Sequence, residues 1–247
     1  MVFFPRKMTE APMKETIDWS KWWIVWGDER VVPLDDPQSN YYLALNGFLS
    51  KVAIPKNQIF PIHYSPSSEA VAKDYEAQLK KLVEQKVLPL SATGFPKFDL
   101  MLLGIGPDGH VASLFPNLPQ RYDKTNWVTY LNDSPKPPPK RITFTFPVIN
   151  SADHIAMVVT GKELAEAVDI TLEQKPIIPP LPCSEVKAQG REPRKLSRKG
   201  GARTENPTRF ISLPHDLSSS GVNATPLGIR RNFVLMAHFE GNRMTIP

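Results

Sequence analysis

The sequence predicts an α/β fold, with a three-layer, doubly wound arrangement around a mainly parallel sheet. Short continuous apolar runs, typical of strands buried on both faces, alternate with amphipathic stretches that have helical spacing. The composition agrees, because 41% of the 247 residues are hydrophobic and 22% are charged, as in an ordinary folded domain. Proline is frequent, with 26 residues against 13 glycines, so long uninterrupted helices are not expected.

The first predicted elements lie in the N-terminal third of the chain. A strand is expected at Trp22–Trp26, an apolar and aromatic run closed by Gly27. A turn at 36–40 then leads into a short helix at 41–48. The clearest helical spacing covers 65–85, where Ser65-Pro66 is a favoured start because proline is tolerated in the first turn.

The remaining elements follow at similar intervals. An apolar run at 98–103 predicts a buried strand that leads directly into a glycine-rich segment. The stretch 141–146 alternates with period two, which predicts a strand with one buried face. A strand is also expected at His154–Val159. Thr160 and Glu163 then have the capping-box spacing that begins a helix, which would run to about residue 172.

Composition divides the chain into three parts. Residues 1–20 are interpreted as an N-terminal extension, 21–186 as the α/β domain, and 187–247 as a basic, poorly ordered tail with one strand candidate at 233–236. Residues 185–209 have a net charge of +5, which equals that of the whole chain. The basic character therefore belongs to the tail, and it does not indicate that the folded body binds nucleic acid.

Membrane insertion and metal binding are not expected. No segment approaches the roughly 20 consecutive apolar residues of a membrane-spanning helix. The N-terminal region contains Glu10, Glu15 and Asp18, which argues against a transit peptide, so a cytoplasmic location is expected. Cys183 is the single cysteine and cannot form an internal disulfide, and no pair of histidines has the spacing of a metal site.

The glycine-rich segment at 104–109 is the first candidate site. It satisfies Gly-x-Gly-x-x-Gly after a predicted strand, which is the pattern of a dinucleotide-binding turn. Such a turn needs a full crossover helix after its third glycine, and Pro116 leaves room for only a short helical turn. The glycines are better explained as positions where the backbone approaches a ligand closely or adopts a positive φ.

Charged and titratable residues follow two of the predicted strands. His110 ends the glycine-rich segment beside Asp108, and a histidine with a pKa of about 6.5 is suited to accepting a proton from water at neutral pH. A histidine that only hydrogen-bonds the loop is an equal alternative at this point. Asp28, Glu29 and Arg30 follow the first strand, at the edge where α/β sheets bind ligands, although such clusters are also common in surface turns.

Two blocks of residues resemble the signature blocks of the 6-phosphogluconolactonases. One is Trp-Gly-Asp-Glu-Arg-Val-Val-Pro at 26–33 with Ser39-Asn40, and the other runs from Phe98 through Gly-Ile-Gly-Pro-Asp-Gly-His at 104–110 to Pro116. Segments at 141–152 and 159–161 resemble the block that follows. The related glucosamine-6-phosphate deaminases share the Gly-x-Asp-Gly-His element, but Ser-Leu-Phe-Pro at 113–116 is similar to the lactonases instead.

This resemblance implies hydrolysis of 6-phosphoglucono-δ-lactone to 6-phosphogluconate in the oxidative pentose phosphate pathway, without a metal or an organic cofactor. His110 would act as general base on a water, and Asp28 would orient the base or the water. The substrate would be bound by side chains and by backbone N–H groups of the glycine-rich segment, the implied set being Arg30, Asn40, Gly104, Gly106, Asp108, Gly109 and Arg141. The expected partner is a small phosphorylated sugar lactone, with no nucleic acid and no membrane.

The resemblance also implies parts that are not found in this sequence. Relatives begin with a further strand and a Ser-Gly-Gly-Ser loop that helps to hold the phosphate, and they end with a Trp-containing strand and a final helix. Without the N-terminal strand, an uncovered sheet edge is expected. Two alternative functions are kept, a non-catalytic family remnant whose basic tail binds acidic partners, and a sugar-phosphate deaminase or isomerase.

Overall fold

The computed structural model describes residues 8–159, 162–173, 176–187, 208–212 and 233–237. The helices in these residues are α1 (Met13–Thr16), α2 (Asn40–Gly47), α3 (Ser68–Glu84), α4 (Phe146–Asn150) and α5 (Ala165–Glu173). The strands there are β1 (Trp22–Trp26), β2 (Asp28–Arg30), β3 (Ile59–Phe60), β4 (Leu100–Leu103), β5 (Val128–Leu131), β6 (Arg141–Phe144), β7 (His154–Val159), β8 (Thr208–Ser212) and β9 (Phe233–Ala237).

Six of these strands form a parallel sheet in the order β3-β1-β9-β4-β7-β8. Successive residues of a strand point to opposite faces, and both faces of this sheet are covered. In β4, for example, Leu102 belongs to the core beneath α2, whereas Met101 and Leu103 belong to the core beneath α3 and α5. This explains the continuous apolar runs, and it confirms the predicted three-layer α/β fold.

The helix α3 anchors the larger core. Its apolar positions at helical spacing include Tyr75 and Leu79, which are fully buried. The helix begins three residues later than predicted, because the hydroxyl of Ser67, and not that of Ser65, accepts the hydrogen bond from the N–H of Ala70 that caps it. The hydroxyl of Tyr75 accepts a hydrogen bond from the N–H of Trp26, which fixes the carboxyl end of β1.

A second, antiparallel sheet of order β2-β6-β5 lies against α3. The predicted strand at 141–146 is shorter, since Pro147 in the first turn of α4 begins a helix at Phe146. All four residues of β6 are buried, so the expectation of one exposed face is wrong. The polar face is covered by the segment around Ser113, whose N–H donates to the hydroxyl of Thr143 and whose hydroxyl accepts a hydrogen bond from Arg141.

The region beyond residue 187 contributes two described strands, β8 and β9. The strand predicted at 233–236 is present as β9, but β8 was not predicted from the pattern at 208–212. β9 lies inside the sheet, between β1 and β4, so the expectation of an uncovered edge stays a prediction. The predictions of a poorly ordered tail and of a helix cap at Thr160 otherwise fall outside the described residues. No helix in the described part of the chain is long and apolar enough to cross a bilayer.

Candidate active site

The glycine-rich segment forms a tight turn at the carboxyl end of β4. Gly104 follows the strand directly, the N–H of Gly106 donates to the carbonyl of His110 at 3.0 Å, and the N–H of Gly109 donates to the carbonyl of Gly106 at 2.9 Å. Gly109 has a φ of +78°, which favours glycine. Both N–H groups close the turn, and binding of substrate by Gly104, Gly106 and Gly109 stays a prediction.

This turn holds the imidazole of His110 in a fixed environment. The ring is buried and packs on Phe115, with 4.3 Å between ring centroids. Nδ1 lies 2.5 Å from Oδ1 of Asp108 and 3.4 Å from Nζ of Lys136. The side chains of Asp108 and Lys136 are each more than one third exposed, so the buried ring borders solvent-accessible charges.

Asp108 is the anionic partner of this imidazole. Burial raises its pKa, but the hydrogen bond and charge of His110, together with the charge of Lys136, outweigh that effect and lower the pKa to about 2. The group is therefore ionised at neutral pH. Because the pKa is lowered on folding, the stabilisation is present above the ordinary value of 3.8 and is lost as the pH falls towards 2.

The space occupied by His110 depends on glycine at position 106. A Cβ there would lie 2.2 Å from Cε1 and Nδ1 of the imidazole. Gly106→Ala is therefore expected to displace the ring and to lower the catalytic rate by up to about 10²-fold, since small misplacements of reacting groups are costly. The measurement is kcat/KM for the lactone that the family resemblance implies, with Gly94→Asn as control, because a Cβ at Gly94 meets nothing within 4 Å and asparagine tolerates its φ of +81°. Equal activity of both variants would contradict the prediction.

The second candidate cluster lies on one face of the antiparallel sheet. Asp28 is opposite Thr143 and Arg30 is opposite Arg141, and directly opposed residues share a face. The two clusters meet at Ser113, whose hydroxyl donates to Oδ2 of Asp28 at 2.8 Å and lies 3.3 Å from Nη1 of Arg141. The structure thus brings Asp28 and Arg141 to the loop that carries His110.

Arg141 also supports the proline-rich segment at 135–139. Its Nε donates to the carbonyl of Pro138, and its Nη2 donates to the carbonyls of Lys136 and Pro137, at 3.0–3.1 Å. These bonds hold the backbone of Lys136 beside His110. The role of Arg141 towards a ligand stays a prediction, whereas its contacts show that it positions a second cation.

Asn40 and Arg30 connect β2 to the start of α2. The side-chain amide of Asn40 donates to the carbonyl oxygen of Asp28 at 2.9 Å and lies 3.3 Å from its Oδ1. Nη1 of Arg30 donates to the carbonyl of Gln38 at 2.8 Å. All the side chains predicted for the site therefore lie at one end of the molecule, although their roles in binding and catalysis stay predictions.

Two contributors to this region, Ser113 and Lys136, were not candidates from the sequence, and Glu29 was predicted only as part of the charged cluster after β1. Ser113 and Glu29 lie inside the two blocks that carry the family resemblance, and that position is the signal that could have identified them. Lys136 lies in a proline-rich segment that was interpreted only as a loop.

No group of three or more potential metal ligands occurs among the described residues. Cys183 is buried beside Thr171, and burial raises the pKa of its thiol.

Comparison with known proteins gives consistent matches. Residues 4–194 match the family model described as glucosamine-6-phosphate isomerases/6-phosphogluconolactonase. The chain is 58% identical over 171 residues to a rice protein named probable 6-phosphogluconolactonase 4, chloroplastic, covering 69% of this chain and 53% of that protein. It is 50% identical over 188 residues to an Arabidopsis thaliana protein named probable 6-phosphogluconolactonase 5, covering 74% of each.

Solved structures agree with this family assignment. The 6-phosphogluconolactonase from Thermotoga maritima matches with a TM-score of 0.60 and 29% identity, covering 72% of this chain and 73% of that one. The enzyme from Leishmania guyanensis matches with a TM-score of 0.59 and 29% identity, covering 74% and 77%. These matches confirm the resemblance and the fold. The chain nevertheless spans only about half the length of the rice chloroplastic relative.

Proposed function

Because the chain belongs to the glucosamine-6-phosphate isomerase/6-phosphogluconolactonase family, we propose that it hydrolyses 6-phosphoglucono-δ-lactone to 6-phosphogluconate. The observation that carries this proposal is the environment of His110, whose imidazole is held by the ionised Asp108 with the ammonium of Lys136 beside it. A base and a positive charge thus lie together at the carboxyl end of β4, which suits attack on an ester of an anionic sugar.

The proposed reaction uses His110 as general base. When Nδ1–H donates to Asp108, Nε2 carries the lone pair that accepts a proton. A water attacks the lactone carbonyl and gives its proton to Nε2, and the carbonyl electrons move onto oxygen to form a tetrahedral oxyanion. As the ring C–O bond breaks, the imidazolium returns the proton to the departing oxygen. The acid product then loses a proton to solvent, which leaves the enzyme unchanged.

The surrounding charges would bind and orient the substrate. Lys136 is the cation beside the imidazole that solvent reaches, so it is proposed to contact an anionic oxygen of the substrate. Asp28, fixed by Ser113 and Asn40, would orient the attacking water, and Arg30 would add positive charge at the same edge. His110 is buried, so the substrate would approach its ring from the side of the exposed side chains of Asp108 and Lys136.

The test is a lactonase assay on the purified chain. Glucose-6-phosphate dehydrogenase generates the lactone, and its disappearance is followed against buffer and against a His110→Ala chain prepared in parallel. The wild-type chain is expected to remove the lactone faster than both. A rate equal to that in buffer would contradict the proposal.

The same preparation decides between the lactonase and the deaminase alternative. Incubation with glucosamine-6-phosphate is expected to release no ammonia, because the Ser-Leu-Phe-Pro segment after Val111-Ala112 is similar to the lactonases. Ammonia release without loss of lactone would replace the proposed reaction by deamination.

The cytoplasmic location also stays a proposal, since some relatives are named chloroplastic. Imaging of a fluorescent fusion in cells would test it.

A further inference from the structure

The carboxylate of Glu29 is a buried group that the proposed reaction does not use. It lies between β2 and the first turn of α2 and accepts four hydrogen bonds. Oε1 accepts from the N–H groups of Arg30 at 2.7 Å and Asn40 at 2.6 Å. Oε2 accepts from the N–H of Tyr41 at 2.8 Å and from the hydroxyl of Ser39 at 3.1 Å. One side chain thus joins two elements that are ten or more positions apart in the sequence.

These bonds determine where the side chain of Asn40 lies. With its own N–H fixed by Glu29, Asn40 directs its amide to the carbonyl oxygen of Asp28 at 2.9 Å and towards Oδ1 of the same residue at 3.3 Å. Asp28 also accepts a hydrogen bond from the hydroxyl of Ser113, which lies in the loop that carries His110. Glu29 is therefore connected to the candidate site through Asn40 and Asp28.

The carboxylate of Glu29 shares the capping of α2 with Ser39. The hydroxyl of Ser39 caps α2 by accepting a hydrogen bond from the N–H of Tyr42. Burial raises the pKa of Glu29 to about 7, and the hydrogen bonds from Asn40, Tyr41 and Arg30 only partly offset that effect. An ionised carboxylate here therefore carries a desolvation cost, although it also satisfies the N–H groups of Asn40 and Tyr41, which the serine cap leaves without an intrahelical partner.

Glu76 provides a matched comparison elsewhere in the chain. Its Oε2 accepts hydrogen bonds from the N–H groups of Trp127 and Val128, at 2.8 and 3.1 Å. These bonds join α3 to the start of β5. Its Oε1 pairs with Lys80. This is the same kind of contact between a carboxylate and backbone N–H groups, but none of these partners is a candidate site residue.

We propose that Glu29 is a positioning residue, which holds Asn40 against Asp28 so that Asp28 keeps the orientation needed for lactone hydrolysis. This inference rests on the lactonase function proposed above. It predicts that the effect of changing Glu29 on catalysis is transmitted by the side chain of Asn40, whereas a purely structural role would be independent of that side chain.

A double-mutant cycle on kcat/KM tests this connection. Glu29→Gln is expected to lower kcat/KM by about tenfold or more. One of the two oxygens that accept hydrogen bonds becomes an NH₂ group, which is a donor and would face donors. In an Asn40→Ala background the same change is expected to cost less than about twofold. Glu76→Gln should have the same small effect in both backgrounds. An equal loss from Glu29→Gln with and without Asn40 would overturn the proposal.

A second readout does not depend on activity. The side-chain amide signal of Asn40 in a ¹⁵N NMR spectrum, assigned by its loss in Asn40→Ala, is expected to shift in Glu29→Gln and to exchange its protons about tenfold faster or more, in the range of a lost hydrogen bond. Glu76→Gln should leave that signal unchanged. If Glu29→Gln does not fold, Glu29→Asp, which keeps the charge but shortens the reach, replaces it.

An unchanged Asn40 signal in a folded Glu29 variant would overturn the positioning role, whatever the activity of the chain. A wild-type chain without lactonase activity would overturn the proposed function instead, and the NMR comparison would still decide whether Glu29 holds Asn40. The two failures are therefore distinguishable.

Discussion

Replacing His110 with alanine is expected to lower kcat/KM for lactone hydrolysis by about 10²–10⁴-fold, which is the usual contribution of a general base. The change removes the nitrogen that would accept the proton of the attacking water. It also leaves Asp108 and Lys136 facing each other. Oδ1 of Asp108 and Nζ of Lys136 are 3.5 Å apart, and both lie beside the imidazole. Initial rates of lactone loss at several substrate concentrations measure the effect.

Two controls separate this loss from damage to the fold. His63→Ala removes a histidine whose side chain is 73% exposed and pairs with Asp74, so its kcat/KM should equal that of the wild type. The thermal unfolding midpoint of His110→Ala should show that the variant is folded at the assay temperature, although a cavity beside Phe115 is expected to lower it. If a folded His110→Ala chain keeps more than half of the wild-type activity, the imidazole is not the base.

Local patterns were sufficient for the elements that have one dominant signal. The apolar run at Trp22–Trp26 is a strand because both faces of the main sheet are covered, and the spacing of Val71, Tyr75 and Leu79 is helical because one face of α3 packs on the core. The glycine-rich turn was also predicted as an exception to the dinucleotide motif, and no full helix follows His110 in the structure.

The parts that were missed depend on partners far away in the chain. Asp28–Arg30 has three charged residues, so no strand pattern is visible, and it becomes β2 only by pairing with β6 more than 110 positions later. Ser113 is 85 positions from Asp28 in the sequence. Nothing in the residues around Ser113 indicates that its hydroxyl donates a hydrogen bond to Asp28. Only the tertiary fold brings these hydrogen-bonding groups together.

The glycine-rich loop shows what residue types leave open. They indicated close backbone approach or a positive φ, and both occur, since a Cβ at Gly106 would meet the imidazole of His110 and Gly109 has a φ of +78°. Sequence spacing cannot distinguish a glycine that admits a ligand from a glycine that admits a neighbouring side chain. That distinction needs the position of the ring.

The second large effect is expected from a proline in the central strand, and it concerns stability. In β9, Leu235 is paired with Ile24 of β1 on one side and with Leu100 of β4 on the other. Proline has no N–H and is found in sheets almost only at edges, starts and bulges. Leu235→Pro should therefore remove a ladder hydrogen bond and cost at least the 1–3 kcal/mol of an unsatisfied buried group, out of a total stability of about 5–15 kcal/mol.

The expected result is loss of the cooperative thermal transition seen by circular dichroism, or a midpoint lowered by many degrees, whereas Leu235→Val should unfold close to the wild type. A Leu235→Pro chain with an unchanged midpoint would show that β9 does not lie between β1 and β4. The prediction also bears on the site, because Ala237 at the end of β9 is paired with Trp26, two residues before Asp28 of β2, and with Leu102, in the strand that leads to the loop of His110. Leu235→Pro should thus lose activity together with its unfolding transition, whereas His110→Ala should lose activity and keep the transition.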